Sequence, residues 1–292
     1  MIKALLLFSK GLDSLLVKEI LERQNIKVET INFGTCFFNG EIDITEDHLK
    51  IVKNPKYGRG QGMNPCRDCH LLMLKKAGEI MKEKGYDFIA TGEVVSQRPF
   101  SQSKEQLLFF DKEANLEGLV LRPLSAKLLP ETIPEKKGLI DRNKLYDISG
   151  KSRKKQLELA KQFNIKDIPM PAGGCILTDK EYSKKLKELL FINPEFDSND
   201  AKVLTKGRVF FKDKTLFIIT RNEKEGEKIK DYLKRGDIFL EPQNFPGPSV
   251  LIRDFTNNLN VDIMTQTAKD YLIKYSKKVP KDFEIKIQKY EE

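Results

Sequence analysis

Apolar residues come in short blocks at the head of the chain. Lys3 to Phe8 is a compact apolar run of strand length. Asp13 to Arg23 then carries Leu15, Leu16, Val17, Ile20 and Leu21 at helical spacing. Lys27 to Phe33 alternates and stops near Gly34, as a second strand would. Leu71 to Lys84 is amphipathic and reads as a helix. Through Gly85-Tyr86 it enters Asp87-Phe88-Ile89-Ala90-Thr91-Gly92, a short buried strand closed by a turn. Strands alternating with helices predict an α/β, doubly wound parallel sheet with helices on both faces. Gly40 to Met63 lacks a clean period and reads as a long loop over the sheet edge. Leu119 to Leu124 is a further candidate strand, and Leu129 to Pro134 a proline-containing segment. Ser152 to Phe163 reads as a helix capped by Ser152, and Pro169 to Gly174 as a turn cluster with Cys175 at its exit.

The pattern changes after residue 192. Residues 193–200 are polar with one proline and read as a linker. Gly207 to Phe211 and Thr215 to Thr220 predict a hairpin turning at Asp213-Lys214. Asn222 to Lys234 reads as a charged helix, and Ile238 to Leu240 and Ser249 to Ile252 as further strands. The expected organisation is a domain over residues 1–192 and a second, smaller α+β domain over residues 201–292.

A length of 292 residues suits two domains. No stretch approaches the ~20 apolar residues of a membrane helix. Met1 to Phe8 superficially resembles a signal segment but leads straight into Ser9-Lys10-Gly11 with no small-residue cleavage site, so a cytoplasmic protein is expected, with no membrane partner. The net charge of +9 fits a polyanion partner or a lysine-rich proteome equally well. Cysteines stand at 36, 66, 69 and 175, and in a cytosolic chain of this size they point to metal binding, catalysis or buried apolar positions rather than a disulfide framework.

Ser9-Lys10-Gly11-Leu12-Asp13-Ser14 lies between the first strand and the first helix. Such a loop offers backbone N–H groups and the positive helix end to an anion. Gly11 permits close approach, Ser9 and Ser14 add hydroxyls, and Lys10 adds a positive charge. Asp13 repels phosphate unless it holds Mg²⁺ or orients the loop, which suits a metal-bound triphosphate. The plainer reading is an ordinary strand-to-helix turn capped by Ser9 or Asp13. Ligands of open α/β sheets sit at the carboxyl edge of the strands. Phe33, Thr91, Gly92 and Gln97 therefore join the loop as candidate ATP contacts, with Arg98 beside them.

The loop resembles the PP-loop of the ATP pyrophosphatase families, written Ser-Gly-Gly-x-Asp-Ser, with Lys10 where those families have glycine. The resemblance implies an adenine nucleotide alpha hydrolase-like fold, ATP with Mg²⁺, and cleavage between the α- and β-phosphates.

Asn64-Pro65-Cys66-Arg67-Asp68-Cys69-His70 puts two thiols three residues apart, close enough to grip one metal or cluster. Cys175 follows two glycines. Read alone, the set fits a zinc site completed by His70, a three-cysteine iron–sulfur cluster, or redox or catalytic thiols. Cys36 reads as a buried structural thiol. Asn64-Pro65-Cys66-x-x-Cys69 and Asp87 to Gly92 resemble the Asn-Pro-Asp-x-x-Cys and Asp-Tyr-Ile-Ala-Thr-Gly-His motifs of MnmA-type tRNA 2-thiouridylases. Cys66 replaces an aspartate and Glu93 a histidine. The CxxC with a distant cysteine is similar instead to TtuA-type and cluster-bearing ThiI-like thiolation enzymes.

That resemblance covers roughly residues 1 to 180. It implies a tRNA uridine sulfurtransferase with Cys66, Cys69 and Cys175 on a 4Fe–4S cluster, zinc being the alternative. Asp13, Cys69 and Cys175 are then the catalytic candidates, with tRNA and a sulfide or persulfide donor as partners. Other residues carry weaker signals. Arg122 and Lys127 face phosphate or tRNA, or sit on a solvated turn; Lys151, Arg153, Lys154 and Lys155 read as a basic helix start, by default a solvated face and otherwise a tRNA contact. Ile218 to Glu223, Gly236 to Leu240 and Phe245 to Arg253 resemble the NFACT-R RNA-binding module, which implies a tRNA-gripping domain over residues ~200 to 265. A structural or homodimerising appendage is the plain reading of that segment. An adenylating enzyme acting on a small molecule, with a structural zinc site, and a non-catalytic RNA-binding protein remain the rival readings of the whole chain.

Overall fold

The structure, a computed structural model, describes residues 1–98, 101–170, 174–256 and 261–291. It forms two compact units, Met1–Cys175 and Ile176–Glu292. No helix among the described residues is long and apolar enough to cross a membrane.

The first unit runs β1 (Lys3–Leu7), α1 (Leu12–Glu22), β2 (Lys27–Ile31), β3 (Phe33–Gly34), β4 (Ile42–Asp43), α2 (Thr45–Lys53), α3 (Cys66–Lys84), β5 (Phe88–Thr91), α4 (Lys104–Glu113), β6 (Val120–Leu121), α5 (Ile133–Lys136) and α6 (Lys154–Gln162). Four strands form a parallel sheet in the order β2-β1-β5-β6. Because successive side chains of a strand point to opposite faces, β1 feeds two cores. Ala4 and Leu6 pack with Leu16, Val17 and Ile20 of α1 and Leu159 of α6. Leu5 packs with Leu74 and Ala77 of α3 and Phe110 of α4. Helices therefore cover both faces, and the strands can be apolar throughout.

Strand order reverses beside β1. The chain goes from β1 through α1 to β2 on one side, then through α3 to β5 on the other. This is the switch point where such sheets open a crevice at the strand carboxyl ends. Gly92, just past β5, is part of that geometry: a Cβ there would stand 2.9 Å from the Ser14 amide nitrogen. The first turn of α1 rests directly on this glycine.

Residues 40–63 depart from the expected long loop. β3 pairs with β4, and α2 buries His48, Leu49 and Val52 on one face. The dense charge of Glu46, Asp47, Lys50 and Lys53 on its other face hides that period. α3 starts at Cys66 rather than Leu71, because the buried Asp68 carboxylate accepts from the amides of Lys56 (3.0 Å) and Tyr57 (3.1 Å) and ties the preceding loop to the helix start. α4 is an added helix, capped by Ser103, whose hydroxyl accepts from the Gln106 amide at 3.1 Å. α6 begins at Lys154 behind Arg153, and Ser152 only accepts a 3.4 Å bond from the Lys154 amide.

The second unit runs α7 (Lys180–Ile192), α8 (Ser198–Val203), β7 (Arg208–Lys212), β8 (Thr215–Ile219), α9 (Glu223–Ile229), β9 (Ile238–Pro242), β10 (Val250–Asp254), α10 (Val261–Tyr275) and β11 (Ile285–Lys289). Its five-stranded sheet is antiparallel, ordered β11-β9-β10-β8-β7. Asp213 adopts φ 52°, the left-handed value that the tight β7–β8 turn demands. Residues 193–200 lie inside this unit, and Asp197 with Asp200 closes a capping box on α8. α7, α10 and β11 add to the elements read from the pattern.

Arg253 of β10 is 3% exposed and ties the unit together. It donates to Asp237 (2.7 Å), Asp200 (2.7 Å), Asn199 (3.0 Å) and the Tyr232 carbonyl (2.6 Å). Removing one partner of such a buried set strands the others. Arg253→Leu is expected to destabilise the second unit by about 3–5 kcal/mol in urea unfolding. A second expectation concerns pH. His48 is buried between the rings of Phe37 and Phe38, and burial pushes its imidazole down from 6.5 to about 4. Between those values the unfolded chain binds the proton and the folded one does not, so stability falls as pH drops from about 6.5 to 4. The loss is on the order of 2–3 kcal/mol. Thermal melts of His48→Phe across that window should lose this component of the slope.

Candidate functional site

A cavity of 530 Å³ opens at the switch point, a size that suits a nucleotide-sized ligand. Ser9, Gly11, Leu12, Asp13 and Ser14 line it from the β1–α1 loop, Asn32 and Phe33 from the β2–β3 junction, and Thr91, Gly92 and Gln97 from the end of β5 and the residues after it. Gly11 occupies the N-cap position of α1 and contributes no side-chain acceptor. The first amides of the helix are thus left for an anion. The Ser14 hydroxyl donates to the Gly11 carbonyl at 2.8 Å, and the Ser9 hydroxyl accepts from the Gly11 amide at 3.3 Å.

Lys10 behaves differently from its loop neighbours. Its backbone takes φ 61°, a left-handed value that costs a side-chain-bearing residue roughly 1–2 kcal/mol. A glycine at this loop position would adopt it without that cost. The Lys10 ammonium pairs with Glu41 at 3.1 Å near the surface and is not part of the cavity lining.

Asp13 supplies the charge of the site. Its Oδ2 accepts from Gln97 Nε2 at 3.2 Å, while Oδ1 is buried and has no hydrogen-bond partner among the described residues. Burial pushes this carboxyl above the usual carboxylate value, against the Gln97 bond, the Arg153 charge, the nearby Gln156 amide and the Arg98 charge. Both arginines line the cavity. An orphaned carboxylate oxygen, open helix amides and two guanidinium groups fit a magnesium-bound polyphosphate. The cation would complete Asp13, and the amides and arginines would meet the phosphates.

The cysteines lie close by. Cys66 and Cys69 fall in the first turn of α3, where a spacing of three puts both on one side and the helix end favours thiolates. Burial pushes the Cys69 thiol up, and the charges of Cys175 and Cys66 push it further. Cys175, distant in sequence, therefore comes within electrostatic reach of the pair. The Cys66 thiol is raised by burial, but its hydrogen bond to His70 and the His70 charge turn the net shift downward. Soft thiolate donors suit zinc or iron–sulfur chemistry. Among the described residues, no three Cys, His, Asp or Glu side chains already converge on one metal position. Pro171 to Gly173 of the turn before Cys175 lie outside the described residues. Cys36 is half-buried after β3.

Beside the thiols runs a buried relay with no local sequence signal. His70 Nδ1 meets Glu93 Oε1 at 3.0 Å, and Arg122 donates to Glu93 Oε2 at 2.9 Å. Arg122 also grips Asp111 through two 2.8 Å bonds and is 2% exposed. It is thus held by carboxylates and does not sit on a solvated turn. Burial alone would raise the Glu93 carboxyl, but the Arg122 charge and His70 hold it down at about 2. Burial would lower His70, and its bonds to Cys66 and Glu93 instead bring it up to about 9. His70 and Glu93 both line the cavity, so the relay joins the thiol pair to its wall.

Residues 207–292 match the family model described as the NFACT protein RNA binding domain. No curated protein matches the chain. The matched segment contains every strand of the antiparallel sheet and α10, and continues past residue 265, where the sequence resemblance stopped. The second unit thus carries an RNA-binding domain similar to that of NFACT proteins.

Proposed function

We propose that the chain is an ATP-dependent RNA-modifying enzyme of the PP-loop kind, which adenylates a tRNA uridine and replaces its carbonyl oxygen with sulfur. The observation that carries this reading is the half-buried Asp13 carboxylate at an open helix N-terminus, one oxygen of which is buried and has no hydrogen-bond partner among the described residues. Thiols nearby and an RNA-binding domain in the same chain supply the other two requirements.

In this reading the amides of the β1–α1 loop, with Arg98 and Arg153, hold the phosphates, and Asp13 holds Mg²⁺. Gln97 keeps the Asp13 carboxylate in place. The uridine carbonyl oxygen attacks the α-phosphorus, and the bond to pyrophosphate breaks. The base then carries AMP as its leaving group. A sulfur nucleophile adds to the activated carbon, and the carbon–oxygen bond to AMP breaks. Cys66, Cys69 and Cys175 would hold a 4Fe–4S cluster, or zinc; a cluster would supply a place to hold incoming sulfur. Without either, Cys69 or Cys175 is the candidate to take a persulfide from a persulfide donor; once its outer sulfur bonds the base carbon, the thiolate of the other cysteine breaks the S–S bond and leaves a disulfide between the two. The target base must leave its stack to reach the phosphate.

A second reading, RNA binding without catalysis, is favoured by the NFACT-like domain and by Lys10, which lies outside the cavity lining. Pyrophosphate exchange stimulated by tRNA separates the two; intact tRNA binding with no AMP formed would establish the second.

Asp13→Asn should abolish AMP formation and spare RNA binding. It should also raise the melting temperature of the unliganded chain by about 2–4 °C, the shift that ~1 kcal/mol brings, because a buried unpartnered charge is removed. Retained adenylation would refute the site. Anaerobically purified protein should absorb near ~400 nm if the thiols hold an iron–sulfur cluster. Cys66→Ala, Cys69→Ala and Cys175→Ala should each lose that band, and Cys36→Ala should keep it. Stoichiometric zinc without colour would favour the small-molecule adenylating enzyme.

A further inference from the structure

Strand and helix periods meet on one side of the second unit. Arg208, Phe210 and Lys212 alternate along β7 and share the face whose partners in β8, Phe217 and Ile219, pack against α10. Two residues of strand advance roughly 6.6 Å, and four residues of helix about 6 Å. Thr267, Tyr271 and Tyr275 of α10 therefore fall opposite them as rungs. Arg208 lies 4.8 Å over the Tyr275 ring. Phe210 stacks on Tyr271 at 4.9 Å and 16°. Lys212 donates to the Thr267 hydroxyl at 3.2 Å. The Lys274 ammonium stands 5.7 Å from the Tyr275 ring.

The arrangement is more than an extension of the core. The three rings are half-buried, while Arg208, Lys212 and Lys274 are exposed. Among the described residues, none of these cations forms an ion pair, and neighbouring Asp270 bonds Gln266 instead. Exposed cation–π contacts contribute only about 0.5–1 kcal/mol, and the cations repel one another. Cations alternating with ring faces suit a ligand that is both anionic and stackable.

We infer that this β7–α10 ridge is the surface on which the second unit takes a single-stranded RNA segment. Arg208, Lys212 and Lys274 meet phosphates, and Tyr275 and Phe210 offer ring surface to an unstacked base. The inference rests on the RNA-binding domain of this unit and names its contact face. All of these residues fall within the matched segment 207–292. Arg253, invoked by the sequence resemblance, is buried and bonded inside the unit, so it is no part of the contact.

The test is fluorescence anisotropy of the full chain with a labelled short oligouridylate and with a duplex RNA, each over a salt series. Arg208→Gln with Lys212→Gln should lower the salt slope by about 1.4, at roughly 0.7 per phosphate of a single strand. Tyr275→Leu should weaken oligouridylate binding about tenfold. Lys228→Ala, on exposed α9, should leave binding unchanged. Arg208 and Lys212 are exposed, so their variants test the ridge without a folding penalty; melting curves check Tyr275→Leu. Wild-type binding by the Arg208/Lys212 pair, or a loss confined to Lys228→Ala, would overturn the ridge while leaving RNA binding intact. Duplex binding as tight and as sensitive to Tyr275→Leu would overturn the single-strand assignment. A wild-type chain that binds no RNA at low salt would remove the RNA reading itself.

Discussion

The first unit is organised by a close approach that tolerates no side chain. β5 runs out into Gly92, and α1 begins where a Cβ on that glycine would stand. The reversal of strand order at β1 makes this approach necessary, because the crossovers leave β1 to opposite sides. The result is a helix N-terminus at the mouth of a crevice, with its amides unclaimed by any side-chain cap. Its first turn also holds Asp13, whose carboxylate would gain most from a cation. An alanine at 92 would push α1 away and separate these groups.

Both units then rely on a buried arginine. Arg122 clamps Asp111 of α4 to Glu93 beyond β5, and through Glu93 it fixes His70 on α3. Arg253 gathers α8, β9 and β10 of the second unit. Ion pairs out of water repay their desolvation only when the hydrogen bonds are complete. The planar guanidinium, with its five donors, makes that possible where lysine would not. In the first unit the same device shapes chemistry. It keeps Glu93 ionised and lets a buried histidine stay charged beside Cys66.

Charge near the surface does different work. Lys10 pairs with Glu41 in the open, where such pairs contribute little. Arg98 and Arg153 line the crevice, and Arg153 does so although with Lys151, Lys154 and Lys155 it reads from sequence as a basic helix start facing solvent or tRNA. On β7 and α10, cations stand against rings instead of carboxylates. A basic composition thus divides into arginines lining the crevice in one unit and a ring-and-cation surface in the other.

Much of this was legible from residues alone. Short apolar runs and helical periods marked β1, α1, α3 and β5, because burial on both sheet faces leaves little room for polar positions. Ser9 to Ser14 stood out as a loop between strand and helix at the sheet edge, and it lines the crevice there; the β7–β8 hairpin stood out by its turn. α2 and α4 escaped notice because dense surface charge blurs an amphipathic period, and α10 because its apolar face is narrow. What the tertiary structure decided was convergence. The reach of Cys175 to Cys69, the clamp of Arg122 on Glu93, and the rungs between β7 and α10 join residues far apart in the chain. Local sequence carries propensity and period. It carries no record of which distant side chains chain closure brings within a few ångströms, and electrostatic coupling depends on that distance and on burial.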